Sequence, residues 1–325
     1  MLNTLTPKAE DLKSENHNQT GYLPTQYRIS ALIDDYLAVE KLHNRLQDLP
    51  VQWQNPQPRP WKIIDWQQIN RDQIIGINAE VFLSILIGAM DTEAPIRGYT
   101  QTSRQYLEKL HPPMARFVGG TVDGDGELLE LGLWEKEERQ HTPALIKVYT
   151  QLAQEKITPK FRTVRGYLPT DDPYEDLYRH GLHRVATEYG ATCLYLWLMA
   201  YSTGALQDVL AELLQDEINH MTKFWGFGVW AFPDTSLVRV GKTLIKTRSA
   251  NYQRNNLIRT LRRMMATLNW SAWSLTNKAT LIFTFTQTMR RLWVWHNSLT
   301  PEYLSTVFGR NTISQKSCSK SIAFD

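Results

Sequence analysis

The sequence predicts an all-α protein, a four-helix bundle with additional helices. Two Glu-x-x-His pairs, at residues 138–141 and 217–220, each follow a lone glutamate on an earlier helical stretch, Glu93 and Glu188. Apolar residues recur at helical spacing in the stretches that carry these residues. An i, i+3 pair lies on one face of a helix, so four such helices would direct all six polar side chains towards one interior.

The N-terminal segment is predicted to hold an arm, one helix and a linker. Residues 1–28 are rich in polar residues and predict a flexible arm, and residues 30–49 predict the first helix. Three prolines within residues 54–60 predict a stiff linker. A long helix is expected over residues 72–110, with a kink at Pro95 because proline removes a backbone hydrogen bond.

A second long helix is expected over residues 127–156, after a turn-rich loop at residues 119–126. Pro143 lies two residues after His141 and should disturb the helix beside that histidine.

The chain as a whole is predicted to have three segments. Residues 1–60 hold the arm, helix and Pro-rich linker, residues 61–232 hold the bundle, and residues 233–325 form a basic, Trp-rich helical region.

A helical hairpin is predicted over residues 182–201 and 205–224, joined by a turn at residues 202–204. Glu188 lies thirteen residues before the turn, and Glu217 lies thirteen residues after its glycine. At about 1.5 Å per residue, both carboxylates lie about 20 Å from the bend. The two glutamates are therefore expected at one level of the hairpin, which favours a shared site.

The six polar residues together have the composition of a carboxylate-bridged two-metal centre. Oxygen and imidazole ligands suit iron or manganese better than metals that prefer thiolates. Four glutamates would neutralise two divalent cations, and we expect two Fe²⁺ ions. The predicted metal ligands are Glu93, Glu138, His141, Glu188, Glu217 and His220.

Other acidic residues and Glu-x-x-His pairs compete for these roles. The pair at residues 108–111 has polar neighbours and is followed by two prolines, so a solvated helix end is expected. The pair at residues 40–43 has apolar neighbours but no lone glutamate on an earlier helix, and a ligand role for it stays open. Glu80 and Glu93 lie on nearly opposite helix faces, and the apolar flanks favour Glu93.

The composition indicates a globular protein in a reducing compartment. The chain has 325 residues, 42% of them hydrophobic, which is enough for a sizeable core. Two cysteines are too few for a disulfide framework, and the N-terminal residues lack the apolar stretch of a secretory signal. The sequence contains no run of eighteen uncharged apolar residues, so no membrane span is predicted. A cytoplasmic location is therefore expected.

Charge is distributed unevenly along the chain. Residues 226–325 contain fourteen Lys and Arg residues against three acidic ones, whereas the preceding residues are net acidic. A basic region favours an anionic partner, such as an acidic protein or a membrane surface. An amphipathic helix at residues 281–295 would suit contact with a membrane surface, and extra bundle helices with solvated arginines are the competing interpretation. No recognition motif accompanies the charge, so nucleic acid is not expected.

The flanks of the predicted ligands carry a family likeness. A Glu-Ala stretch is followed by proline, a tryptophan precedes the first Glu-x-x-His pair by one turn, and an aspartate directly precedes the second pair. These motif residues are Thr92-Glu93-Ala94-Pro95, Trp134, Glu138, His141, Glu188, Asp216, Glu217 and His220. On these motifs, residues 80–230 resemble the soluble acyl-carrier-protein desaturases of the ferritin-like di-iron superfamily.

The resemblance implies a ferritin-like bundle, the same six residues as iron ligands, and Asp216 as the residue that holds a ligating histidine in orientation. It further implies oxygen-dependent desaturation of a fatty acyl chain on acyl carrier protein, with a ferredoxin-type electron donor. The basic C-terminal region would then bind the acidic carrier protein. A homodimer stays open, and a plant or algal chain of this kind would reside in the plastid stroma.

Departures from the family pattern leave other functions open. The position one turn after Glu188 is Ala191, where these desaturases usually carry threonine, and Thr192 lies beside it. A di-iron hydroxylase or N-oxygenase with another substrate is the first alternative. His180 and His183 would be extra ligands in an N-oxygenase, but they lie off the helix face of Glu188. A non-enzymatic, ferritin-like iron-handling protein is the second alternative.

Overall fold

The chain is mostly helical, in agreement with the predicted all-α class. The computed structural model describes residues 22–161, 163–164, 166–236, 238–240, 243, 270–311 and 313. Its helices are α1 (Tyr22–Tyr36), α2 (Val39–Gln47), α3 (Leu49–Gln54), α4 (Ala79–Glu93), α5 (Ile96–Glu108), α6 (Pro112–Gly119), α7 (Leu133–Glu138), α8 (His141–Ala153), α9 (Pro173–Ala200), α10 (Gly204–Ala231), α11 (Leu275–His296) and α12 (Pro301–Phe308). A short antiparallel pair, β1 (Thr121–Val122) and β2 (Leu128–Glu130), lies between α6 and α7.

Helices α9 and α10 form a long hairpin at the centre of the molecule. Each has 28 residues, and together they make the most extensive contact between the described helices. Asp172 caps α9 by accepting hydrogen bonds from the first backbone N–H groups, and Pro173 is pre-organised for the first turn. Gly204 opens α10 with φ +57°, a left-handed conformation that favours glycine. The predicted turn is confirmed, and both helices are longer than predicted.

Two helical stretches beside this hairpin are interrupted at predicted ligands. Helix α4 ends at Glu93, and Pro95 separates it from α5. Helix α7 ends at Glu138 and α8 begins at His141. Pro143 lies two residues after His141. Proline has no N–H, so it cannot donate a hydrogen bond to the carbonyl of residue 139, which lies in the interruption between α7 and α8. The predicted kinks are therefore breaks that place three predicted ligands at helix ends.

Several boundaries differ from the sequence prediction. The start of the second long helix is replaced by the β1–β2 hairpin, because Gly120 and Gly126 adopt positive φ and allow tight turns. The helix expected over residues 30–49 is divided into α1 and α2 and the start of α3. The first long helix begins at Ala79, since the side chain of Asn78 caps it there.

The additional helices pack around the central hairpin. Helix α11 contacts α1 and α9, whereas α2 and α12 contact α10. Trp197 of α9 stacks on Trp273 at 4.6 Å and donates a hydrogen bond of 3.0 Å to Thr280, so part of the Trp-rich region belongs to the core. The predicted arm up to residue 21 and residues 244–269 of the predicted C-terminal segment lie outside the described residues. The division into three segments stays a prediction.

Among the helices that the structure describes, none is long and apolar enough to cross a membrane. The amphipathic stretch predicted at residues 281–295 lies in α11. Its Leu292 and Trp295 are buried in the protein, whereas Ile282 and Val294 are exposed. One apolar face of α11 is therefore used for packing within the chain, and contact with a membrane surface stays a prediction.

Candidate metal centre

Six side chains from four helical stretches meet in the interior. The first cluster is Glu93, Glu138, His141 and Glu217, and the second cluster is Glu138, Glu188, Glu217 and His220. Within each cluster, one ligand atom from every residue lies within 4.8 Å of the others. Glu138 and Glu217 belong to both clusters, so two neighbouring cations could be bridged by two carboxylates. The structure thus brings together all six predicted ligands in a buried site that could hold metal.

The elements that present these residues differ in kind. Glu188 and Glu217 face each other across the α9–α10 hairpin, at the common level that counting from the turn predicts. His220 follows Glu217 by three residues in the same helix, so both side chains project from one face of α10. Glu138 and His141 have the same spacing but lie on opposite sides of the break between α7 and α8. The site therefore joins a regular hairpin to interrupted helices.

Both histidines direct Nδ1 towards the carboxylate cluster. Nε2 of His141 lies 3.3 Å from Oδ2 of Asp216, and Nε2 of His220 lies 2.8 Å from Oε2 of Glu137. An ionised carboxylate only accepts hydrogen bonds, so each Nε2 carries a proton and Nδ1 is the nitrogen that can bind a metal. Nδ1 of His220 lies 2.9 Å from Oε1 of Glu138, and Nδ1 of His141 lies 3.1 Å from Oε2 of Glu138. Neither contact has the geometry of a hydrogen bond, so within the described residues both Nδ1 atoms and Oε1 of Glu217 are buried without a hydrogen-bond partner. A cation would satisfy these atoms, and the donor set fits it.

The electrostatics of the site are dominated by burial, followed by repulsion between its carboxylates. Burial and the Glu138 carboxylate raise the pKa of Glu93 well above its usual value, and burial and the Glu217 carboxylate do the same for Glu188. Burial alone would lower the pKa of His141, but the facing carboxylates raise it well above its usual value. Without a cation, the site thus retains protons to compensate its charge, and metal binding would displace them.

Glu137 has the same relation to His220 that Asp216 has to His141. Each of these two buried carboxylates directly precedes a shared glutamate of the site and contacts the histidine of the opposite Glu-x-x-His pair. Such contacts fix the orientation and tautomer of a ligating imidazole. Sequence analysis identified Asp216 and missed Glu137. The signal was present, because an acidic residue directly precedes the glutamate in both pairs.

One further side chain contacts the site, and a second is close enough to feel its charge. Trp134 lies one turn before Glu138 and donates a hydrogen bond of 2.9 Å from Nε1 to Oε1 of that glutamate. Tyr195 is buried, and its hydroxyl has no hydrogen-bond partner in the described part of the chain. Burial and the negative charge of Glu93 raise the pKa of Tyr195 well above its usual value. A tryptophan N–H thus helps to position one shared carboxylate.

Two competing candidates lie away from the centre. Glu80 is 72% exposed and pairs with Arg71 at 3.0 Å, so Glu93 is the glutamate of α4 that reaches the site. Nε2 of His43 lies 2.9 Å from the hydroxyl of Ser298. The pair at residues 40–43, whose ligand role the sequence left open, is in neither cluster.

The other histidines beside the predicted site have structural contacts. The sequence predicted a solvated helix end at residues 108–111, and for His111 this prediction is wrong. His111 is buried, and its Nδ1 caps α6 by accepting a hydrogen bond of 3.1 Å from the N–H of Met114. Glu108 of the same pair is 52% exposed, as expected. His180 lies 2.8 Å from the hydroxyl of Ser103 and is in neither cluster.

Comparison of the chain with protein-family models, with curated proteins and with solved structures gave no match in any of the three.

Proposed function

We propose that this chain is a di-iron, O₂-dependent oxidoreductase that acts on a long apolar substrate, most specifically a desaturase of fatty acyl chains on acyl carrier protein. The observation that carries the proposal is the pair of clusters that share Glu138 and Glu217, each completed by one histidine Nδ1. Bridging carboxylates with one imidazole per cation are the ligand set of di-iron carboxylate proteins.

We further propose that the four ligand-bearing stretches form a ferritin-like bundle. The α9–α10 hairpin supplies Glu188, Glu217 and His220, and the interrupted stretches α4–α5 and α7–α8 supply the other ligands. Helix α4 packs on α8, and α7 and α8 both contact α10. This arrangement supports a bundle in which one ligand group comes from each of two helices and a Glu-x-x-His pair comes from each of the other two.

When bound, two Fe²⁺ ions would supply the electrons that activate O₂ for hydrogen removal from an unactivated C–H bond. The chain's own residues hold and shield that chemistry. Asp216 and Glu137 orient the two imidazoles, and Trp134 positions Glu138. The burial of all these side chains keeps bulk water from the reacting atoms.

Desaturation also needs an external supply of electrons. Removal of two hydrogens from neighbouring carbons, together with two electrons and two protons, reduces O₂ to two water molecules. A ferredoxin-type protein is the proposed electron donor, and the basic C-terminal region is the proposed binding surface for an acidic acyl carrier protein. The cytoplasm, or the plastid stroma of a plant or alga, would supply both partners, and a homodimer is compatible with the proposal.

The resemblance of the motif residues to acyl-carrier-protein desaturases supports an acyl substrate over other apolar molecules. The hydrogen bond from Trp134 to Glu138 gives a physical role to one of these motif residues. The desaturase proposal therefore rests on the metal centre and on the residues immediately around it.

The test begins with metal analysis of the purified protein and continues with product analysis. We expect two iron ions per chain and an unsaturated product when the protein is given reduced ferredoxin, O₂ and acyl carrier substrates. Bound iron without a new double bond would reject desaturation, and an oxygenated product would select a hydroxylase or N-oxygenase. Continued iron uptake far above two ions per chain would select an iron-handling protein.

A further inference from the structure

The Pro-rich linker crosses one side of the metal centre. Arg59 lies in this linker between Pro58 and Pro60, and its side chain is 22% exposed. The residue before a proline prefers extended backbone, and each proline fixes its own φ. The linker therefore holds Arg59 on an extended and stiff piece of chain beside α10 and α7.

The side chain of Arg59 binds two buried carboxylates of α10. Its Nε donates a hydrogen bond of 2.8 Å to Oδ1 of Asp216, and a terminal nitrogen donates to the side chain of Glu212. The other terminal nitrogen donates a hydrogen bond of 2.7 Å to the backbone carbonyl of Glu212. The planar guanidinium suits this arrangement, because its donors are fixed relative to one another.

The backbone of Arg59 binds a third buried carboxylate. Its N–H donates a hydrogen bond of 2.9 Å to Oε1 of Glu137. The other oxygen of Glu137 accepts from His220, just as the other oxygen of Asp216 accepts from His141. The prolines on either side have no N–H, so neither of them could replace this contact by a shift of one residue.

We propose that Arg59 is a positioning residue for both histidines of the centre, through two different parts of one residue. Its guanidinium fixes Asp216 and thereby His141, together with Trp61, whose Nε1–H donates a hydrogen bond of 2.8 Å to the Asp216 oxygen that faces His141. Its backbone N–H fixes Glu137 and thereby His220. The inference rests on the proposed function in that it assumes a site for two cations. A change of the Arg59 side chain should therefore disturb the cluster of His141 and leave the cluster of His220 in place.

The test uses Arg59→Gln in the full chain, with Co²⁺ as the metal probe. Calorimetric titration should resolve two Co²⁺ ions in the unchanged protein. The substitution should weaken one of them by roughly 10-fold, the low end of the loss expected for a residue that contacts a metal ligand directly, because Arg59 acts through Asp216. In the metal-free protein, the NMR signal of the His141 Nε2 proton should shift, whereas that of His220 should not. Arg71→Gln is the matched control, since Arg71 also joins a loop to a helix, through Leu152, but lies away from both carboxylates.

A second variant protects the test against loss of folding. Arg59→Lys keeps the positive charge but cannot bind Asp216 and Glu212 as a planar fork, so its Co²⁺ affinity should lie between those of the unchanged protein and Arg59→Gln. Unchanged Co²⁺ affinity in Arg59→Gln, with an unmoved His141 signal, would overturn the inference, as would equal weakening of both ions.

The outcomes separate this inference from the proposed function. A folded, unchanged protein that binds no Co²⁺ would reject the metal centre. The histidine signals of the metal-free protein would still decide whether Arg59 positions His141.

Discussion

Replacement of Glu137 by glutamine should weaken metal binding at the cluster of His220. In the protein, one oxygen of Glu137 accepts from Nε2 of His220 at 2.8 Å, and the other accepts from the N–H of Arg59 at 2.9 Å. Glutamine keeps one acceptor and converts the other to an NH₂ donor. If that NH₂ group faces His220, it favours the tautomer whose proton lies on Nδ1, the nitrogen that should bind metal. If it faces Arg59 instead, two buried donors oppose each other.

The expected loss follows from that conflict. A buried donor left without a partner costs about 1–3 kcal/mol, and loss of a residue that supports a metal ligand typically weakens metal binding by about 10- to 100-fold. That factor corresponds to about 1.4–2.8 kcal/mol of binding free energy. Calorimetric titration with Co²⁺ should therefore show one weakened ion of two in Glu137→Gln.

Glu135→Gln is the matched control for this substitution. Glu135 is also fully buried on α7, where it accepts hydrogen bonds from Thr100 at 2.7 Å and from Arg139 at 2.7 Å, but it contacts neither histidine. It should lose folding stability without a comparable loss of Co²⁺ affinity. Unchanged Co²⁺ affinity in Glu137→Gln, or an equal loss of affinity in both variants, would refute a role of Glu137 in holding His220.

Three further predictions concern the charge and the metal content of the protein. Glu93→Gln should remove one of two bound ions, as measured by metal analysis after dialysis. Glu80→Gln should keep both ions, because Glu80 lies outside the site. Equal metal content in the two variants would contradict the assignment of Glu93 as a metal ligand. Burial lowers the pKa of His111 to about 4, below its value in the unfolded chain, so the folded protein should lose up to about 3 kcal/mol of stability as the pH falls from 6.5 towards 4. His111→Asn keeps a side-chain cap for α6. In denaturant titrations, its free energy of unfolding should depend less on pH between 6.5 and 4. If that pH dependence is unchanged, His111 is not its source. When metal is present at 100 times its dissociation constant, a chelator should lower the free energy of unfolding by about 2.7 kcal/mol. Denaturant titrations with and without chelator measure this difference. No change would argue against a metal site that exists only in the folded protein.

Regular helices explain why part of the candidate metal site could be predicted from the sequence. A helix advances by a fixed distance per residue, so counting from the turn at Gly204 located Glu188 and Glu217 at one level. The apolar flanks selected Glu93 over Glu80 for a similar reason, since a helix has one buried face. These predictions depend on local geometry, which the sequence encodes directly.

The contacts around the ligands depend on how separate elements are placed, and they were harder to predict. The contact of Glu137 with His220 requires a particular rotation of α7 relative to α10, which neither sequence stretch specifies. Arg59 lies in a linker without helical or strand periodicity, so no pattern indicated its partners. The β1–β2 hairpin was missed because glycine turns at residues 120 and 126 outweighed the helix-forming residues that follow them.

The breaks after Glu93 and Glu138 give the two sides of the centre unequal stiffness. On one side, two uninterrupted helices of 28 residues hold their ligands through complete ladders of backbone hydrogen bonds. On the other side, the ligands end or begin short helices, where a few backbone torsions can change without disrupting a whole helix. Entry or departure of a cation would therefore be accommodated by small hinge-like adjustments at residues 94–95 and 139–140, and the long hairpin would serve as the fixed frame.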